Sequence, residues 1–231
     1  MEKIMVVKNL TFKEQIELLK SRGIIVKNVE KSSKKIENIS YYKLKEYATP
    51  FICAYIDGSP KYKGLEFDEL LERYYQDKNL RIHLFHVIEK IEVSLKIRIA
   101  YNLGNMNAYG YLETDKWINK TDRISWLEAL KLVRNLCAHN GKIIDLKLKS
   151  KPVLIDSWKE IYNEKSSSDL ALIICILKNL VDVINSKYKW KYIRANILSL
   201  VGGSDDKARI LGFNDKDSVY KLLGKRTCTK K

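Results

Sequence analysis

The sequence predicts an all-α protein, and three observations carry that reading. Leu, Ile, Lys and Glu dominate, while only three prolines and ten glycines occur in 231 residues, a composition that favours helix over strand. Apolar residues recur at helical spacing along the whole length. Helix start and stop signals bracket several of those stretches.

Taken in order, Thr11 and Glu14 fit a capping box, with Phe12, Ile16 and Leu19 following at helical spacing until Gly23. Asn28 to Glu37 reads as a polar stretch leading into Ile39-Ser40-Tyr41-Tyr42-Lys43-Leu44. Pro50, Gly58, Pro60 and Gly64 mark a loop-rich segment with room for a short hairpin. Phe67, Leu70, Leu71 and Tyr74 resume a helical stripe. The longest helix is expected from about Asp77 to Asn102, with Leu84, Ile88, Ile91, Leu95 and Ile99 on one face and Gly104 closing it. Residues 103–120 read as a connection. Asp122 to Asn140 is again helical, with Leu127, Leu130, Val133 and Cys137 on one side and Asn140-Gly141 as the stop. Lys142 to Pro152 is basic and irregular, Ser166 to Ile184 is a capped and largely buried helix, and shorter helices follow to Leu223. The expected organisation is an N-terminal helical and loop extension (1–65), a helical domain (66–223) and a basic tail (224–231), together forming one compact unit.

Lys plus Arg number 43 against 28 Asp plus Glu, a formal net charge of +15. Such an excess speaks to partners, nucleic acid first and anionic membrane second. An AT-rich coding sequence also raises lysine, so charge is one line of evidence among several. Cys53, Cys137, Cys175 and Cys228 are scattered without a CxxC pair, so neither a zinc site nor any other metal or cofactor is expected. The segment Met1 to Glu14 lacks the apolar core of a signal peptide, and the greasiest run, Leu170 to Leu177, is too short to span a bilayer. A reducing cytoplasm is the expected location.

The most informative stretch is Arg134-Asn135-Leu136-Cys137-Ala138-His139-Asn140. Five helical residues turn through roughly 500°, so Arg134 must reach around the helix towards His139, whereas Asn135 lies four residues before it on nearly the same face. The negative helix end favours a protonated imidazole. Such a histidine serves as general acid or base, and an adjacent Arg can hold phosphate oxygens in a bidentate fork. The plain alternative is a solvated Arg134 and a His139 that caps the helix. His83 and His86 stand three apart without a ligand cluster nearby, and read as partly buried histidines. Glu89 and Glu92 share their helix. One of them is placed to orient Arg134 or His139 across a packing seam; the alternative is an ordinary surface pair, with Glu92 and Lys96 at salt-bridge spacing. Lys142, Lys147 and Lys149 are candidates to track a phosphate backbone, as are the lysines of Tyr188-Lys189-Trp190-Lys191-Tyr192. Tyr41 and Tyr42, set among lysines, are candidates for base stacking, although buried rings with outward hydroxyls are the commoner use.

Several of these segments together resemble one family. Thr11 to Gly23, Ile39 to Leu44 with Tyr47 and Phe51, Tyr74-Tyr75-Gln76-Asp77-Lys78-Asn79-Leu80-Arg81 continuing through Ile88-Glu89-Lys90-Ile91-Glu92-Val93, the RN-x-x-x-H element Arg134 to Asn140, and Leu211-Gly212-Phe213 are similar, in that order, to elements of Abi-like abortive infection proteins of the AbiD/AbiF group. The resemblance implies a HEPN-like helical bundle with additional N- and C-terminal helices. It implies a metal-independent endoribonuclease of antiphage defence, toxin-like and held in check by a small structured RNA, working as a homodimer. In that scheme Arg134 and His139 are catalytic, Asn135 is the polar companion and Glu92 an orienting group. A non-catalytic RNA-binding module and a HEPN-fold protein-interaction regulator are the alternatives.

Overall fold

A computed structural model of the chain describes residues 9–106 and 123–224. It is mostly helical, with one two-stranded sheet among the described residues. Two compact units are present, Met1–Tyr75 and Gln76–Lys231.

The first unit opens with α1 (Phe12–Ser21). Its capping box forms as the sequence predicts: Glu14 N–H donates to Thr11 Oγ1 at 3.3 Å, and Thr11 N–H donates back to Glu14 Oε2 at 2.8 Å. The expected polar stretch is instead α2 (Val29–Ile36), capped by Asn28 Oδ1 accepting from Lys31 N–H at 2.8 Å. Only Ser32 and Ile36 of α2 are buried, which is why its apolar stripe is faint in the sequence. After α3 (Tyr41–Ala48) and a 3₁₀ turn, β1 (Ile52–Ile56) and β2 (Ser59–Tyr62) form an antiparallel hairpin. Both turn residues, Asp57 and Gly58, have positive φ, as a two-residue type I′ hairpin requires. Ile16, Leu19, Leu44, Tyr47, Phe67 and Leu70 are fully buried and form the centre of this unit.

Two expected helices prove to be one. α4 runs unbroken from Phe67 to Met106. The polar run Gln76 to Asn79 looks like a break in sequence, but Asp77 is wholly buried within the helix. Gly104 does not end α4; one glycine costs a helix only about 1 kcal/mol. Leu84, Ile88 and Ile91 are buried as expected, whereas Leu95 is half-buried and Ile99 is exposed.

In the second unit, α5 (Arg123–Ala138) packs against α6 (Leu170–Ile184), and α7 (Lys191–Val201) packs against α8 (Asp205–Ile210) and α9 (Lys216–Leu223). Leu170 to Leu177 are all buried; a helix apolar on every side belongs in the centre of a core. α6 begins at Leu170 and not at Ser166, because Ser166 to Asp169 form a turn whose side chains bond the neighbouring loop. Ser168 Oγ, for example, donates to Ile144 O at 2.8 Å. The Leu211-Gly212-Phe213 element is structural. Phe213 is fully buried, and a Cβ on Gly212, at φ +94°, would lie 2.7 Å from Ser168 O. The expected connection at 103–120 falls mostly outside the described residues, as do Asp122, Cys228 and the basic tail 225–231. No helix among the described residues is long and apolar enough to cross a membrane.

Candidate functional site

The C-terminal end of α5 is built with unusual care. Ala129, Leu130 and Val133 bury one face of the helix, which leaves Arg134 on an exposed edge. The helix closes in a Schellman arrangement: Asn140 adopts a left-handed φ of 58°, and Gly141 N–H donates to Leu136 O at 2.6 Å. Gly141 is required by crowding, since a Cβ there would lie 2.5 Å from Leu136 Cδ2 and 3.1 Å from Leu136 Cα. His139 is the residue at this end, its N–H donating to Asn135 O at 2.9 Å. It sits just past the last α-helical residue, with an exposed side chain.

A buried ion pair on α4 grips this helix end. Arg81, 4% exposed, pairs with Asp77, 0% exposed, one turn earlier. Arg81 also donates to Asn140 Oδ1 at 2.5 Å and to Gly141 O at 3.1 Å. Asp77 Oδ1 accepts from the N–H groups of Ile143 and Ile144 at 2.8 and 2.9 Å. Both charges are thereby compensated, the condition under which buried charges are tolerated. The loop that follows is held again by Asp169, fully buried, which accepts from Leu148 N–H, Lys147 Nζ and Tyr162 Oη. Burial raises the Asp169 pKa, but the bonds from Lys147, Tyr162 and Leu148 outweigh it, so the carboxyl is held below its ordinary range. Beside the clamp, a shallow cavity of about 500 Å³ is lined by Lys78, Arg81, Phe85, Cys137 and Asn140, among others. Burial pushes the Cys137 thiol up to about 12, so it stands there as a protonated thiol.

The structure brings Arg134, Asn135 and Glu92 together. Arg134 Nε lies 3.7 Å from Glu92 Oε1, and Arg134 Nη1 donates to Asn135 Oδ1 at 3.3 Å. Of the two glutamates, Glu92 is the one that reaches across to α5, and it meets Arg134; Glu89 lies 4.0 Å from His86 on its own helix. His139 follows five residues after Arg134 at the same helix end. The lysines after the site differ in status. Lys142 pairs with Asp145 at 2.9 Å, Lys147 is committed to Asp169 at 2.8 Å, and Lys149 is exposed. In the first unit Tyr41 is buried and its hydroxyl accepts from Arg22 at 2.5 Å, while Tyr42 is 76% exposed. Among the described residues no group of three or more His, Cys, Asp or Glu could hold a metal ion.

Sequence reasoning missed the Asp77–Arg81 clamp. Its only local signal is an acid and an arginine at i, i+4, and it is masked by the polar neighbours Gln76, Lys78 and Asn79.

Residues 34–125 match the model of a family described as Abi-like protein. The chain carries an Abi-like segment. That segment contains Asp77, Arg81 and Glu92, and it ends before Arg134 and His139. Neither the curated proteins nor the solved structures gave a match.

Proposed function

We propose that this Abi-like protein is a metal-independent endoribonuclease of the HEPN type, acting in abortive-infection defence. The observation that carries the reading is the exposed edge at the end of α5. There Arg134 is oriented by Glu92 and Asn135, and His139 stands one turn on, at a helix end fixed from below by Arg81. The Abi-like match and the +15 charge support it.

In the proposed reaction an RNA 2′-hydroxyl attacks its own 3′-phosphorus, and the bond to the following nucleotide's 5′-oxygen breaks. His139 moves the proton from the attacking to the leaving oxygen, while Arg134 stabilises the charge on the pentavalent phosphorane. The products are a 2′,3′-cyclic phosphate and a 5′-hydroxyl. Val93, Ile97 and Tyr101 follow one another at i, i+4 and i+8 beyond Glu92 and are 49%, 64% and 68% exposed. That stripe favours a second copy of the chain meeting the first beside the site, so that two Arg134/His139 pairs share one groove. Control by a small structured RNA is the regulation the reading implies.

Arg134→Ala and His139→Ala should each abolish cleavage of RNA while leaving thermal unfolding unchanged, because both side chains are exposed. EDTA should have no effect, and DNA of the same sequence should resist cleavage, since it lacks the 2′-hydroxyl. Excess His139→Ala protein mixed with wild type should depress activity beyond dilution if the site is shared. Full activity in either alanine variant removes the assignment; activity strictly proportional to wild-type content removes the shared groove.

A further inference from the structure

Two residues along an α-helix rotate a side chain by about 200°, so His83 leaves α4 on the side roughly opposite Arg81. There it meets the start of α7. The His83 and Tyr192 rings stack nearly parallel, 13° apart in plane and 5.2 Å between centroids. Farther along, Gln76 Nε2 donates to Ser199 Oγ at 3.1 Å, which fixes the two helices antiparallel. Between them lies a cavity of about 320 Å³ lined by His83, His86, Tyr188, Lys189, Tyr192 and Ile193. Four of these six are aromatic or imidazole rings, Ile193 is buried apolar surface, and the charged group is a cation. Lys191 Nζ stands 5.7 Å from the Tyr192 ring centroid, and Lys187 is exposed just before Tyr188. The nearby carboxylate of Glu89 is 4.0 Å from His86 Nδ1 and does not line the cavity. Burial, and then the neighbouring His86, lower the His83 pKa, which keeps that ring neutral and suited to stacking.

Flat walls, an apolar floor and a rim of lysines select a flat ring that carries negative charge. We propose that this cavity is a binding site for a nucleobase bearing a phosphate, the base stacking against the His83–Tyr192 pair and the phosphate meeting Lys189 and Lys191. The volume is at the low end for ligand sites and suits one nucleotide. The same chemistry is presented by a free nucleotide and by an unpaired nucleotide of a single strand. The site is separate from Arg134 and His139 and does not depend on their being catalytic.

The test is direct binding to full-length protein by fluorescence anisotropy. The probes are labelled 2′-O-methyl ten-nucleotide oligomers of A or U, which cannot undergo transesterification, and the same sequences as duplexes. Tyr192 is 61% exposed, so Tyr192→Ala should not disturb folding. Base–aromatic stacking is worth about 5- to 150-fold in affinity per base. Tyr192→Ala is therefore expected to weaken single-strand binding by at least 5-fold, Tyr192→Trp to restore it, and duplex binding to stay the same. AMP and UMP supply the second arm: displacement of the oligomer by either mononucleotide, lost in Tyr192→Ala, identifies a free-nucleotide site, and its absence identifies an unpaired base within a strand. Single-strand affinity within twofold of wild type in Tyr192→Ala, or equal losses for single strand and duplex, overturns the proposal. Because cleavage is not read, failure of the ribonuclease reading would leave these results intact.

Discussion

α4 supplies a carboxylate to two arginines, and the two pairs are opposites. Asp77–Arg81 is buried and every charge is matched by backbone or side-chain partners. Glu92–Arg134 is open to solvent on both sides, 39% and 44% exposed, at a looser 3.7 Å. An exposed pair contributes about 0–1 kcal/mol, whereas breaking a buried one costs about 3–5 kcal/mol, because a charge is left behind without a partner. The first pair is therefore an architectural element and the second a presentation device. An arginine that contributes so little to folding, yet is aimed by two side chains, is available for a ligand.

The contrast can be broken at its strong end first. Arg81→Ala should lower unfolding free energy by about 3–5 kcal/mol in urea titration; a loss below about 1 kcal/mol would show that the clamp is not a structural keystone. Asn140→Ala comes next. It removes one acceptor for Arg81 and places a residue with a Cβ but no local hydrogen bond at φ 58°, so a loss of about 1–3 kcal/mol is expected. Asp169 tests the second anchor by pH. Its depressed native pKa means that the unfolded chain binds more protons on the acid side. Its stabilisation is therefore full above the ordinary carboxylate pKa of about 4 and is lost as pH falls through the native value. Asp169→Asn should be less stable at neutral pH and show a flatter acid limb in unfolding monitored by circular dichroism; an unchanged limb would contradict the depressed pKa. The smallest effect belongs to Glu92→Gln, which should alter stability by no more than about 0.5 kcal/mol while reducing RNA cleavage. A drop in melting temperature comparable with that of Arg81→Ala would erase the distinction between the pairs.

What the sequence made legible was local. The capping box at Thr11, the hairpin near Gly58 and the stop at Asn140-Gly141 are each written within a few residues, and each is present. The grouping of Arg134, Asn135 and Glu92 was readable because a helix edge can be laid out from periodicity and a resemblance supplied the partner helix. The hidden parts act at a distance. Asp77 meets backbone groups 66 and 67 positions away, so the sequence marks it only as the start of a helix. Lys147 finds Asp169 22 positions on, whereas the sequence offers it as a lysine to track a phosphate backbone. α2 hid for another reason: a short helix burying only Ser32 and Ile36 leaves almost no apolar period to detect.

The Schellman closure of α5 acts as a mechanical stop on the spacing between Arg134 and His139. Arg134 is set in rotation by the buried face of the helix, and Asn140 is pinned by Arg81. One residue inserted between them would advance everything after it by 1.5 Å and 100°, carrying Asn140 out of reach of Arg81 and driving the next residue into the space that Gly141 leaves beside Leu136. The five-residue interval is thus gauged from both ends by packing, before any chemistry at His139 is considered. Loop grafts and insertions intended to retune the site belong after Leu148, beyond the backbone groups that Asp77 and Asp169 hold.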